Sequence, residues 1–345
     1  MDVLAPKALA AILLGSLLAA FSPACSQCDQ TGAKTVPALA GERVQVPRDR
    51  VQLPRDDGAH PSPLEWWYWT GHLRTDAGRW FGFELVFFEL RPMGIPLQVT
   101  HHAITDIQDK SFHFQIEGDI EEEKSTVQTI DLEHAGLWAK GADGRDKLHG
   151  QVDGYVLDLD LASRKAPVLH HDRGYIEYDF GGSTHYYSRT RMDARGKLRI
   201  GEQDLPVTGS AWFDHQWGDM GDVFDQSWDW FGIQLDDDRE IMAFRMRVNG
   251  EEKLRGGSYV PKAGPAVRLR PEEVAILPQG TWKSPHTGCV YPQQWRLKIR
   301  DLDLLLEPVI ADQELWSSIP RYWEGVAEVS GAATGRAFIE LNDCR

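Results

Sequence analysis

Cysteine is scarce in this chain. It has 4 among 345 residues, and only Cys289 and Cys344 fall in the part that reads as folded. Positive charge is short too: 37 Lys and Arg stand against 52 Asp and Glu, for a net charge of -15. No basic stripe interrupts that balance, so a nucleic-acid partner is disfavoured; such a partner needs clustered cations to displace phosphate counterions. Helical patterns are few, and Pro271-Glu272-Glu273-Val274 allows only a short helix with Pro in its first turn. There is no HExxH, no pair of CxxC motifs, no phosphate-cradling Gly loop and no G-x-S-x-G elbow. The adjacent pairs His101-His102 and His170-His171 point to opposite faces of a strand and cannot readily share one ion. No metal and no cofactor are therefore expected.

Long apolar runs are also missing, apart from Ala8 to Phe21 behind Lys7. That run is short for a bilayer but fits the core of an export signal. Ser22-Pro23-Ala24-Cys25 follows, a small residue before a Cys, as at a lipoprotein cleavage site, although Ser22 stands where Leu is usual. The reading is a lipoprotein-type signal peptide over 1–25, lipidation at Cys25, and a flexible tether or arm over 26–56. Ordinary signal-peptidase cleavage nearby is the alternative. The expectation is an exported protein, lipid-anchored to a membrane facing the periplasm, with Ser26 pointing to the outer membrane. Export would allow Cys289 and Cys344 to pair; the alternative is two buried thiols.

What is abundant is tryptophan, with 13 residues, and period-2 alternation. Phe81, Phe83, Leu85 and Phe87 share one face of a strand; so do Leu157, Leu159 and Leu161, and Met242, Phe244, Met246 and Val248. Asn249-Gly250 is a two-residue hairpin turn. Many short strands between regular turns make the chain all-β, a sandwich or barrel architecture.

Three segments could carry chemistry. In Glu65-Trp66-Trp67-Tyr68-Trp69-Thr70-Gly71 both strand faces are aromatic: Glu65, Trp67 and Trp69 on one, Trp66, Tyr68 and Thr70 on the other. A strand between a barrel lumen and an outer layer needs that pattern, and purely structural plugging is an equal alternative. Glu65 beside indole rings should be paired or have a raised pKa. In Trp212-Phe213-Asp214-His215-Gln216-Trp217, Asp214 and Gln216 oppose His215 and Trp217; either Asp214 or His215 could be a general acid or base, or the cluster could simply tie domains together. In Tyr186-Tyr187-Ser188-Arg189, Tyr187 and Arg189 share a face, and Arg189 is a natural partner for Glu65 or Asp214. Trp228-Asp229-Trp230-Phe231 repeats the theme of an acid between aromatics. Tyr322-Trp323-Glu324-Gly325 echoes Tyr68-Trp69-Thr70-Gly71, a match that chance would explain and that would also suit two related barrels, each closed by a Trp-Gly strand.

Together with Asp57-Gly58-Ala59-His60-Pro61, these segments in this order resemble the AttH/CrtC family, lipocalin-like proteins that include carotenoid 1,2-hydratases. The resemblance spans residues 57 to 325. It implies two tandem lipocalin-like (calycin) antiparallel β-barrels, over 57–218 and 219–345, dividing shortly after Trp217. It also implies Asp214 and His215 as the acid/base positions, with Trp66, Trp67 and Trp217 as walls; Glu65, Trp69, Tyr187, Arg189, Trp228 and Trp230 complete the expected ligand contacts. Gln216 stands where the family pattern often has Glu, which removes one candidate acid. Other relatives are exported proteins associated with ABC transport systems. The first expectation is thus an exported protein that binds a hydrophobic small molecule or lipid, associated with an ABC transporter permease. The second is a hydratase that adds water to an isolated C=C. A glycan site, suggested only by the mix of Trp and carboxylates, ranks third.

Overall fold

The computed structural model describes residues 48–120, 128–221, 226–318 and 321–344. The expected leader, Cys25 and most of the tether lie outside the described residues. The described part of the arm packs rather than hangs free. Val51 is buried in the core of the first barrel and its N–H donates to Arg173 O at 3.1 Å. Asp56 and Asp57 are buried as well.

Two antiparallel sheets dominate, joined only by short 3-10 turns and loops among the described residues. In the first, Leu64–Thr75 pairs with Trp80–Leu90 on one side and with the last strand, Gln203–Asp219, on the other. The second repeats that closure: Gln226–Leu235 pairs with Glu240–Val248 and with the last strand, Gly335–Leu341. These are tandem lipocalin-like barrels. The structural counterpart of Leu64–Thr75 is therefore Gln226–Leu235, which carries Trp228-Asp229-Trp230-Phe231-Gly232. The echo at Tyr322 to Gly325 lies on the penultimate strand of the second barrel, the position that Ser183–Ile200 holds in the first.

Alternation sorts the side chains into three cores. Trp67, Trp69, Phe81, Phe83, Phe87, Phe213 and their neighbours fill the first barrel. Phe231, Ile233, Trp295 and Trp323 belong to the filling of the second. Tyr68, Val86, Trp212, Trp230, Met242, Phe244 and Val326 make a third core, the seam where the outer faces of the two sheets meet. Gly82 permits the close approach there: a Cβ on it would lie 2.1 Å from Val326 Cγ2. Lys165 adds a cross-seam ion pair to buried Glu240 at 2.8 Å.

Local signals behave as their chemistry requires. Asn249 (φ 52°) and Gly250 (φ 78°) make the two-residue hairpin. Pro271–Glu273 is a single 3-10 turn, shorter than a helix. Cys289 and Cys344 are joined by a disulfide, Cα atoms 4.9 Å apart, which fastens the C-terminus to the second barrel.

Candidate functional site

The residues singled out by sequence divide between two places. Glu65, Trp67, Trp69, Tyr187, Arg189, His215 and Trp217 face the inside of the first barrel. Trp66, Asp214, Trp228 and Trp230 face the seam. Asp214 and His215 thus project to opposite sides of one strand and cannot act on the same bound molecule.

Inside the first barrel the aromatic segment is fully packed. Trp67 and Trp69 have no accessible surface, so they border no void that admits a water. Trp295 and Trp323 fill the second barrel in the same way, at 0% and 2% exposure. The aromatic segment therefore plugs its lumen. Arg189 does not meet Glu65 or Asp214; its guanidinium donates to Asp57 Oδ1 at 2.7 Å, beside the Tyr187 hydroxyl at 2.5 Å. Glu65 is held by histidines instead. His60 Nδ1 lies 2.7 Å and His215 Nε2 2.8 Å from its Oε1, and the His60 backbone N–H donates to Oε2 at 2.8 Å. Burial alone would raise the Glu65 carboxyl, but bonds from His215 and His60 outweigh it and hold its pKa down.

The seam holds the opposite electrostatic pattern: carboxyls pushed toward neutrality. Burial raises Glu84 to about 8, against a hydrogen bond from Tyr322 and with the charge of Glu340 adding to it. Burial, then Glu84 and Glu340, pushes Glu324 well above the usual range. Burial raises Glu340 to about 7 although Trp228 donates to it. Asp214 is raised to about 6 by burial. Among the described residues no cation pairs with these groups to hold them ionised, so low dielectric decides. Tyr322 Oη lies 3.0 Å from Glu84 Oε1 and also meets His101 Nδ1. Glu84 Oε2 and Glu324 Oε2 are buried without a partner.

Asp214 is the most tied-down of the four. Tyr186 donates to Oδ2 at 2.6 Å, Trp212 Nε1 to Oδ1 at 2.7 Å, and Ser188 donates to Oδ1 as well. Gln216, beside it on the strand, is equally engaged, donating to Thr184 Oγ1 at 2.9 Å and Tyr178 Oη at 3.1 Å. Glu340 differs: it is only partly buried, and its Oε1 accepts from Trp228 Nε1 at 2.6 Å. Trp66, Phe88 and Trp228 are half-buried against the same seam core. A carboxyl of raised pKa, on a half-buried residue beside an indole, has the character that an acid working on an apolar molecule needs.

Sequence reasoning missed Glu340, Glu324 and Glu84 as site residues. The signal was alternation: Phe338 and Glu340 share a face, as do Glu84 and Val86, and an acid on an aromatic face should have been read like Glu65. A surface groove of about 430 Å³ on the first barrel is lined largely by charged side chains, among them Arg145, Lys147, Asp160 and Arg195.

The sequence from 44 to 343 matches the family model described as AttH-like. The chain belongs to the AttH-like family. Among solved structures it is similar to an AttH from Nitrosomonas europaea, with 27% identity and a TM-score of 0.80 over 87% of this chain and 99% of that one. It is also similar to kievitone hydratase from Nectria haematococca, with 16% identity and a TM-score of 0.72 over 91% and 95% of the two chains. CghA bound to Sch210972 shares the fold more distantly, with 12% identity and a TM-score of 0.51 over 81% and 88%. No curated protein sequence matches this AttH-like chain.

Proposed function

We propose that this AttH-like protein binds an apolar alkene, lipid or isoprenoid in character, at the seam between its barrels, and hydrates it by general-acid catalysis. The observation that carries this is Glu340: a half-buried residue whose carboxyl pKa burial lifts to about 7, bonded to the Trp228 indole and backed by Glu84 and Glu324.

The step is balanced by one proton cycle. The Glu340 carboxyl gives its proton to one alkene carbon, and the π pair becomes the new C–H bond. The cation left on the other carbon is stabilised by Trp228, bonded to Glu340, and Trp230, its neighbour on the paired strand. Water adds through oxygen, and its surplus proton returns to the Glu340 carboxylate. The likeness to kievitone hydratase supports the class of reaction, and the half-buried Trp66, Phe88 and Trp228 favour the margin of the seam over either filled barrel interior. Asp214, saturated by three donors, holds Tyr186 and Trp212 in place in this scheme. Export and a lipid anchor at Cys25 remain part of the proposal on the strength of the leader sequence, and association with an ABC permease on the resemblance to exported, transport-associated relatives.

The test is incubation with acyclic isoprenoid alkenes or lipid extract, read by mass spectrometry. The expected result is a product heavier by one water, lost in Glu340→Gln. Ligand binding with no product, unchanged in Glu340→Gln, would make this a carrier and overturn the hydratase reading.

A further inference from the structure

The inside of the first barrel carries a second cluster that the seam chemistry does not use. His60 Nδ1, Glu65 Oε1 and His215 Nε2 all lie within 4.8 Å of one another. Two imidazoles and one carboxylate form a donor set suited to divalent first-row transition ions. We propose that these three residues form a metal site of the zinc class, with the fourth position open to water.

The set is held in place before any ion arrives. The Glu65 carboxylate is oriented by the His60 backbone N–H at 2.8 Å on Oε2, which leaves Oε1 facing both rings. The His60 ring stacks on Trp217, centroids 4.0 Å apart and planes 1° from parallel. The His215 ring stacks on Trp67 at 4.7 Å. Rings clamped by indoles and a carboxylate clamped by backbone lose little freedom when a ligand binds. Glu65 and His215 are fully buried, whereas the His60 side chain is 20% exposed, so entry and a water ligand come from its side.

The proton balance is simple. The ion takes the lone pairs at His60 Nδ1 and His215 Nε2, and the protons that bridge these atoms to Glu65 must leave. The proton on His60 Nδ1 passes to solvent, and the one on His215 shifts to its Nδ1. His215 Nδ1 has no hydrogen-bond partner, so the shift breaks no bond there but leaves a buried N–H unpaired, a cost that the metal bonds must offset. Tetrahedral ligands at about 2.0–2.2 Å from a metal sit about 3.3 Å apart. The two contacts to Glu65, at 2.7 and 2.8 Å, therefore open by about half an ångström, a shift within the reach of side-chain torsions.

Co²⁺ is the probe, added to the full-length chain and read by visible absorption and by bound metal after dialysis. The expected result is one equivalent with the d–d band of tetrahedral Co²⁺, and a rise in melting temperature with ion concentration. His60→Ala, His215→Ala and Glu65→Gln should each lose affinity by more than the ~10–100-fold typical of an outer-shell partner. Glu65→Gln keeps the shape of the cluster, and circular dichroism checks that each variant is folded. His113→Ala, a histidine elsewhere on the barrel, should leave the band intact. Absence of a bound equivalent, or a band that survives in His60→Ala and in His215→Ala, overturns the site.

Discussion

The Tyr68 hydroxyl lies 2.5 Å from Glu324 Oε1, across a sequence separation of 256 residues and across the seam between two barrels. Tyr68 belongs to the strand that also supplies Trp67 and Trp69 to the lumen. One strand thus plugs its own barrel with one face and docks the second barrel with the other. Glu324 Oε2 has no partner, so Tyr68 is the only hydrogen-bond donor seen on that carboxyl among the described residues. Tyr68→Phe should lower stability by about 1–3 kcal/mol, the cost of stranding a buried polar group, measured by urea denaturation.

The seam acids link stability to pH. Glu84 at about 8 and Glu340 at about 7 sit above their unfolded values, so the folded state holds more protons than the unfolded one across the interval. Their contribution is fully present below about pH 4.3, the unfolded Glu pKa, and is lost as pH rises through 7 and 8. Each group adds a slope of about 1.4 kcal/mol per pH unit between its two pKa values. Urea melts from pH 5 to 9 should show falling stability, and Glu84→Gln should flatten the alkaline end.

Activity should follow Glu340. If it is the proton donor, the rate falls above about pH 7 as the carboxyl ionises. The Trp228 N–H opposes burial by favouring the carboxylate. Trp228→Phe removes that bond and should move the alkaline limb upward, visible in a pH profile of product formation.

Gly82 sets the distance between the barrels. Gly82→Val places carbon where Val326 Cγ2 already sits. Overpacking of this kind costs about 1–3 kcal/mol, and the loss should appear as a lower urea midpoint. Gly82→Val combined with Val326→Ala should recover part of it.

The disulfide joins residues 55 apart in sequence. Its removal should cost about 2–4 kcal/mol. Melts of the wild type with and without a thiol reductant, and of Cys289→Ala with Cys344→Ala, should agree.

Much of the fold was legible in the chain itself because side-chain direction in a strand has a period of two. The alternation in Glu65 to Thr70 and in Asp214 to Trp217 assigns faces correctly before any contact is known. The Asn249-Gly250 hairpin follows from backbone sterics alone. Arg189 was harder. Alternation puts it beside Tyr187, but its partner Asp57 lies 132 residues away, at the very start of the expected first barrel. The tetrapeptide echo is the chance match that its brevity allowed, although the two barrels it would suit are there. Tyr322 to Gly325 shares letters with Tyr68 to Gly71, whereas strand pairing makes Trp228 to Gly232 the true counterpart.

The sequence by itself determined the all-β character, the two-faced aromatic strand and the family to which the chain belongs. It could not say which face of that strand is lumen and which is seam. That choice depends on how two curled sheets pack, a matter of long-range pairing rather than local propensity. Only the tertiary structure turned Trp67 and Trp69 into a plug and brought Tyr68, Glu84, Glu324 and Glu340 together from strands far apart in the chain. Their raised pKa values arise there because burial removes water from carboxyls that no cation among the described residues pairs with.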